Sequence, residues 1–348
     1  MTGQVVDVSA DAGSYRRTHS RGNWVDRVLR FRELSILGVL AILLVVTELG
    51  NPRFLSQQGI KDLLLNATIL VLVAVGEAVV VITRNVDLSV GSVLGISAFA
   101  TGDYLHSGGN PGIGVLIGIG IGLVFGVLNG VLVSFGKVPA LVVTLGTLYV
   151  IRGVDSMWVG SREITASNLP SGFIGFGHNG FGPVPFLALL AVAALLVVGY
   201  FLRSYRSGRE CYALGSNPEA ARLAGVPVRK RIIAAYVLCG ALAGLAGALY
   251  LARFGNVDSG TGSGFELTVV SAVVVGGVAF TGGSGSVYGA ALGALLLTSI
   301  NSMLPALGVN SVWELAIDGF LLLIAIAVDR VVALRVATAL RRRTARRA

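Results

Sequence analysis

The chain has 348 residues, of which 54% are apolar and 13% charged, with 48 glycines and a formal net charge of +9. A soluble globule carries about one charged residue in four, so this composition excludes one and points to an all-α polytopic membrane protein. The basic excess does not call for nucleic acid, because Lys and Arg fall where a membrane topology places them.

Residues 1–33 form a basic arm with Arg16, Arg17, Arg21, Arg27, Arg30 and Arg32, expected to be disordered or to lie on the membrane surface. The apolar run that follows has no small-x-small cleavage site and reads as a retained first span rather than a signal peptide. Runs long enough to cross, about 20 residues each, fill a transmembrane region over 34–330. They are Leu34–Leu49, Ile60–Thr83, Leu88–Leu105, Ile113–Phe135, Ala140–Val159, Pro185–Leu202, Ile232–Leu251, Leu267–Phe280, Val287–Leu304 and Val312–Val328, about ten transmembrane helices. With both termini cytoplasmic, 22 of the 27 basic residues face inward: the arm, Arg84, Lys137, seven in the loop 203–231, and seven from Arg330 through the basic tail 331–348. Arg53, Lys61, Arg152, Arg162 and Arg253 remain outside, and an error of one span would destroy the asymmetry.

Within Ile113–Phe135 glycine recurs every fourth residue, at Gly114, Gly118, Gly122, Gly126 and Gly130. The spacing puts them on one slowly drifting face and predicts close helix packing, with little side-chain interlock to oppose sliding. The stretch Ala78–Val81 followed by Gly91-Ser92-Val93-x-Gly95 recurs at the same spacing as Ala272–Val275 followed by Gly285-Ser286-Val287-x-Gly289; it fits either two related halves or chance in an apolar sequence.

The loop 203–231 is the long polar interval inside the apolar sequence. At its centre Asn217 suits an N-cap, Pro218 the first helical position, Glu219 the positive end of the dipole, and Gly225 a left-handed stop. The helix so predicted has about two turns, too short to stand alone in water. It is either a capped linker or an element against which a partner packs.

No catalytic residues emerge, and no cofactor or metal is expected. His19, His106 and His178 lack partners at ligand spacing, Cys211 and Cys239 form no metal or disulfide pattern, and Gly136-Lys137 is followed by Val138 rather than the Ser or Thr of a phosphate loop. Ionisable and polar residues in the apolar runs are the candidates for the translocation path or its gating: Asn66, Glu77, Asp87, Ser89, Ser92, Thr144, Glu266 and Asp318. A charge facing lipid at mid-span costs about 2.5–3.5 kcal/mol, so Glu77 must face protein or a wet cavity. For Glu77 and Asp318 a path role and interhelical pairing stand side by side. Local ion pairs are expected for Arg84 with Asp87 and for Arg152 with Asp155.

The segments Asn85-Val-Asp-Leu-Ser-Val-Gly-Ser92, Val138-Pro-Ala-Leu-Val-Val-Thr-Leu-Gly-Thr147 with Ile151-Arg-Gly153, Tyr212-Ala-Leu-Gly-Ser-Asn-Pro-Glu-Ala-Ala-Arg-Leu-Ala-Gly225, Gly264-Phe-Glu-Leu267 with Val275-Gly-Gly277, and Gly282–Gly289 resemble, in that order, permease subunits of ribose-type sugar importers of the ATP-binding cassette class. The resemblance covers about Phe54 to Asp329. It implies a path for a monosaccharide in a bacterial cell membrane, a cytoplasmic ATPase on a separate subunit, an extracytoplasmic sugar-binding protein, and a second permease, either a copy or a paralogue. By this resemblance Asn217, Pro218, Glu219, Ala220, Ala221, Arg222, Leu223 and Gly225 form the coupling helix that docks on the ATPase. The chain departs from many such relatives in having Arg84 and Asn85 where a glycine pair is common, and Glu77 where a small or apolar residue is. Its Thr83-Arg-Asn-Val-Asp-Leu-Ser-Val-Gly91 pattern is more similar to the branch importing rhamnose or a furanose-like quorum signal. The rival from another class is a stand-alone ion- or proton-coupled carrier using Glu77 and Asp318.

Overall fold

The computed structural model describes residues 23–136, 138–310, 312–314, 316–324 and 326–327, with side chains from residue 34 onward. The arm up to residue 22, Lys137 and the Arg-rich tail lie outside the described residues. In chain order the helices are α1 (Asn23–Gly50), α2 (Gln57–Ile82), α3 (Val90–His106), α4 (Pro111–Gly136), α5 (Ala140–Val159), α6 (Ser171–His178), α7 (Phe186–Ser204), α8 (Arg206–Ser216), α9 (Pro218–Leu223), α10 (Val228–Phe254), α11 (Phe265–Val275) and α12 (Val287–Ala306). A two-residue hairpin, β1 (Gly180–Phe181) with β2 (Val184–Pro185), precedes α7, and helical residues at 313–314, 316–324 and 326–327 follow α12.

Each of the ten apolar runs coincides with helical residues, and six of the described helices, α2, α4, α5, α7, α10 and α12, are long and apolar enough to cross a membrane. α1 starts earlier than its apolar run, because no glycine or proline interrupts the chain between Asn23 and Leu37. α11 is the departure. It has 11 residues, about 16 Å at 1.5 Å per residue against a hydrocarbon core of about 30 Å, so Leu267–Phe280 is no continuous helical span. Glycines at positive φ explain its short length, with Gly255, Gly262 and Gly264 before it and Gly277, Gly282, Gly283 and Gly285 after it.

Two helices organise the core. α2 is buried along almost all of its inner length, from Ala67 to Ile82 with the sole exception of Val71, which is why its sequence is apolar on every face. α10 lies against α4, α3 and α2, while α12 and α7 close the other sides of α2. The contact between α4 and α10 is backbone to backbone. A Cβ on Gly122 or Gly126 would collide with main-chain atoms of Gly240 and Tyr236, one on Gly118 would sit tightly against the Gly244 carbonyl, and Cβ atoms on Gly240 and Gly244 would strike Gly122 and Gly118 in return. Gly114 faces Leu105, and Gly130 faces Ile233. Outward, Leu116, Val124, Tyr149 and Val197 are each more than 60% exposed, an apolar perimeter suited to lipid.

Both copies of the repeated pattern form helix–loop–helix units, α2–α3 and α11–α12, though Gly91 lies inside α3 whereas Gly285 precedes α12. The backbone at Thr261 and Gly262 lies against Gly95 and Gly91, and Glu266 in the first turn of α11 touches the same Gly91 position. The first turns of α3 and α11 therefore meet inside the bundle.

Candidate coupling and translocation site

Asn217 sits in extended conformation at φ −154° and its Oδ1 accepts from the Ala220 amide at 3.0 Å, capping α9 with Pro218 in the first turn. Gly225 at φ +79° ends the helix, and the Val226 amide reaches the Ala221 carbonyl at 3.0 Å. Glu219 and Arg222 pair at 3.3 Å on the exposed face, a contact worth well under about 1 kcal/mol in water. Ala221 turns inward at 5% exposure while Leu223 stands out at 84%; Ala220 is also exposed. Nothing among the described residues buries this apolar side chain on its capped projection.

Behind α9, α8 is fastened at three places. Glu210 bridges Arg206 at 2.8 Å and Arg231 of α10 at 2.7 Å, and the Tyr212 hydroxyl donates to the Gly285 carbonyl at 3.2 Å. At the end of α8, Gly215 and Ser216 cross the end of α2 and the loop before α12. The Gly283 amide donates to the Ile82 carbonyl at 2.9 Å, and a Cβ on Gly215 would collide with that same carbonyl. Hydrogen bonding from Arg231 holds the Glu210 carboxyl below the usual carboxylate value, with Arg206 adding to it. A carboxyl whose folded value is lowered supports the fold fully above its ordinary value and withdraws that support as pH falls through the folded one. Glu210→Gln is therefore expected to speed amide exchange across α8 at neutral pH, and the native chain to show the same loosening only in acid below the ordinary carboxylate range.

A second constellation lies inside the bundle. Loop 83–89 folds back so that the Asp87 amide donates to Glu77 Oε1 at 3.0 Å, placing it five residues, roughly 8 Å, inside the end of α2. Asp87 Oδ1 accepts from the Ser89 amide at 2.9 Å and the Ser89 hydroxyl at 2.6 Å. Asn129 of α4 donates to Ser89 Oγ at 2.8 Å, Tyr236 of α10 to the Val86 carbonyl at 3.0 Å, and Thr144 of α5 approaches that carbonyl at 3.3 Å. Cys239 stands 3.6 Å from Glu77 Oε2. All of these side chains are buried. The network ties four helices to one loop, and its carboxylates are met by amides, hydroxyls and a thiol, with no cation bonded to either among the described residues.

Four of the predicted residues, Glu77, Asp87, Ser89 and Thr144, thus come together. Ser92 is buried beside them with its hydroxyl unpartnered. The others lie elsewhere. Asn66 lines a cavity of about 670 Å³ at the end of the bundle away from α9, Asp318 accepts from Thr268 at 3.0 Å, and Glu266 keeps a buried, unpartnered Oε2 against α3. The expected ion pairs do not form as bonded contacts. Arg84 is exposed at φ +68° and Asp87 takes neutral donors instead; Arg152 donates to the Thr261 carbonyl at 2.7 Å and acts on Asp155 through charge alone, both Asp155 oxygens being buried without a hydrogen-bond partner among the described residues. Reading the sequence missed Asn129, Tyr236 and Cys239 as members of the network. The signal for Asn129 was present, since it is the one amide in the glycine-rich run of α4.

The family described as branched-chain amino acid transport system / permease component matches residues 59–326. The chain belongs to that permease family. Among its relatives, the autoinducer 2 import system permease protein LsrC of an Enterobacter species is 37% identical over 87% of this chain and 88% of its own length. The corresponding Klebsiella pneumoniae protein is 37% identical over 87% of both. The ribose import permease protein RbsC of Bacillus subtilis is 34% identical over 84% of this chain and 90% of its own length. The kinship to ribose-type importer permeases, with its autoinducer-like branch, is thereby established. The chain is a multi-pass protein of the bacterial inner membrane. No solved structure matches it at a significant level.

Proposed function

We propose that this permease forms the membrane path for a monosaccharide or furanose-like signal and is driven by a separate cassette ATPase that grips α9. The substrate class follows the relatives that import autoinducer 2 and ribose, with rhamnose and other pentoses in the same chemical range. The observation that carries the coupling is Leu223, exposed on a capped helix whose base abuts the ends of two core elements. A pull on α9 reaches Gly215 and Ser216 directly, and through them Ile82 of α2 and Gly283 before α12. With the α9 end cytoplasmic, an extracytoplasmic binding protein delivers the sugar at the opposite end, and a second permease, identical or paralogous, completes the conduit. The glycine-faced α4–α10 contact lets helices tilt as the path switches sides.

Glu77 counts against the ion-coupled rival, because its carboxylate is engaged by the backbone of loop 83–89. Reconstitution tests the choice. In liposomes containing this chain with its ATPase and binding protein, ribose uptake is expected to require ATP and to survive an ionophore that collapses ion gradients. Uptake by the permease alone, driven by an ion gradient without ATP, overturns the reading.

A further inference from the structure

The cavity away from α9 is walled by α2, α11, α12, the segment joining α1 to α2, Phe254 at the end of α10 and Glu314 beyond α12, and its lining has an unusual combination of groups. Asn66, Asn301, Thr298 and Ser302 present amides and hydroxyls, and Phe54 and Phe265 present rings. The amide oxygens of Asn66 and Asn301 are buried and have no hydrogen-bond partner among the described residues. Beside them Thr268 donates to Asp318 at 3.0 Å, and the Asn301 side chain also approaches that carboxyl. Of the charged groups in the lining, Asp62 is paired with Arg253 at 3.1 Å, Arg53 is exposed, and the half-buried Glu314 adds one carboxyl, itself an acceptor for hydroxyl donors.

We infer that this cavity is a binding subsite for a neutral polyhydroxylated molecule, so that the permease itself recognises the sugar after release from its carrier. This rests on the transport reading above and adds to it a place where selection occurs. Buried acceptors without donors are costly to leave unsatisfied, and a polyol supplies hydroxyl donors in the number and spacing to meet them. The Thr298 and Ser302 hydroxyls serve as either donor or acceptor. The rings offer apolar faces to the C–H side of a sugar ring, the mixture of apolar wall and few polar groups expected of a small-molecule site. The cavity of about 670 Å³ falls within the range of about 300–1,000 Å³ typical of such sites. An aliphatic amino acid, by contrast, would set its side chain against the two bare amide oxygens.

The test uses the full chain in nanodiscs, with ribose and leucine as probes. Ser302→Cys is labelled with a membrane-impermeant thiol reagent, and Ser107→Cys, exposed at the same end but outside the cavity, is the control. At ribose of about twice its Kd, labelling of Cys at 302 is expected to slow about threefold, with no change at 107 and none with leucine. Protection by leucine instead of ribose, or by neither, overturns the inference. In the assembled transporter, Asn66→Leu and Asn301→Leu are expected to lower ribose uptake about tenfold, since a site built for hydroxyls loses most when its partners go. Asn66→Ser and Asn301→Ser, which keep a polar group and report whether the site folds, should retain most of the uptake. Full uptake in both leucine variants also overturns it. Protection of Ser302→Cys by ribose, with no ATP-driven uptake by the native chain in the assembled transporter, would sink the transport reading and leave the subsite standing.

Discussion

Leu223→Asp is expected to abolish ATP-driven uptake while leaving the permease folded. The side chain is 84% exposed, so the free chain loses almost no buried contact by the change. Its loss is felt only when a groove closes over it. Truncating an apolar anchor at an interface centre costs about 3 kcal/mol, and a carboxylate buried there adds a desolvation penalty, so docking should weaken by at least roughly a hundredfold. Co-purification of the ATPase and uptake in proteoliposomes read the two steps separately. Ala221 is the wrong residue for this purpose, because it packs inward at 5% exposure and a bulky substitution there tests the fold of α9. Undiminished pull-down and uptake by Leu223→Asp would remove α9 from the contact.

Gly122→Leu is expected to destabilise the bundle severely. A side chain there runs into the Gly240 carbonyl, with Gly244 Cα 3.0 Å away. Overpacking typically costs about 1–3 kcal/mol, and the upper end applies because the obstructing atoms are main chain and cannot rotate aside. Relief by separating the helices would also open the contacts at Gly118 and Gly126 on either side. Gly120, two residues away on the same helix, faces open space, with nothing within 4 Å of where a Cβ would sit, so Gly120→Leu should leave thermal stability in detergent nearly unchanged. Equal melting of the two variants would mean that the close approach of α4 and α10 does not hold the bundle together.

What was legible in the sequence and what was not divides along the range of the interactions. The caps of α9 were readable because Asn217, Pro218 and Gly225 act within four residues of where they sit. The glycine face of α4 was readable as a packing face, but its partner was not, since Gly240 and Gly244 lie more than a hundred positions on. Hydropathy could not see that the first turns of α3 and α11 meet inside the bundle, because the glycines and the Thr261 and Gly262 backbone that bring them together look like any other interruption of an apolar run. The two ion pairs failed for a related reason. Helical spacing favours a cation three residues away, whereas the buried Asp87 takes its donors from Ser89 and, 42 residues distant, Asn129. Asn66 and Asp318 stood out as polar residues in apolar company, yet the cavity near them depends on how segments distant in sequence converge.

Where Gly215 and Ser216 pass Ile82 and Gly283, the parts meet chiefly through main-chain atoms. Such a joint transmits displacement by shape, so the residues around it are free to differ in chemistry so long as none of the three chains thickens. If α9 docks on the ATPase as proposed, grafting the α8–α9 segment of a relative onto this permease should preserve transmission wherever the graft keeps glycine at that crossing, and a working hybrid becomes a matter of matching the outer tip to the ATPase.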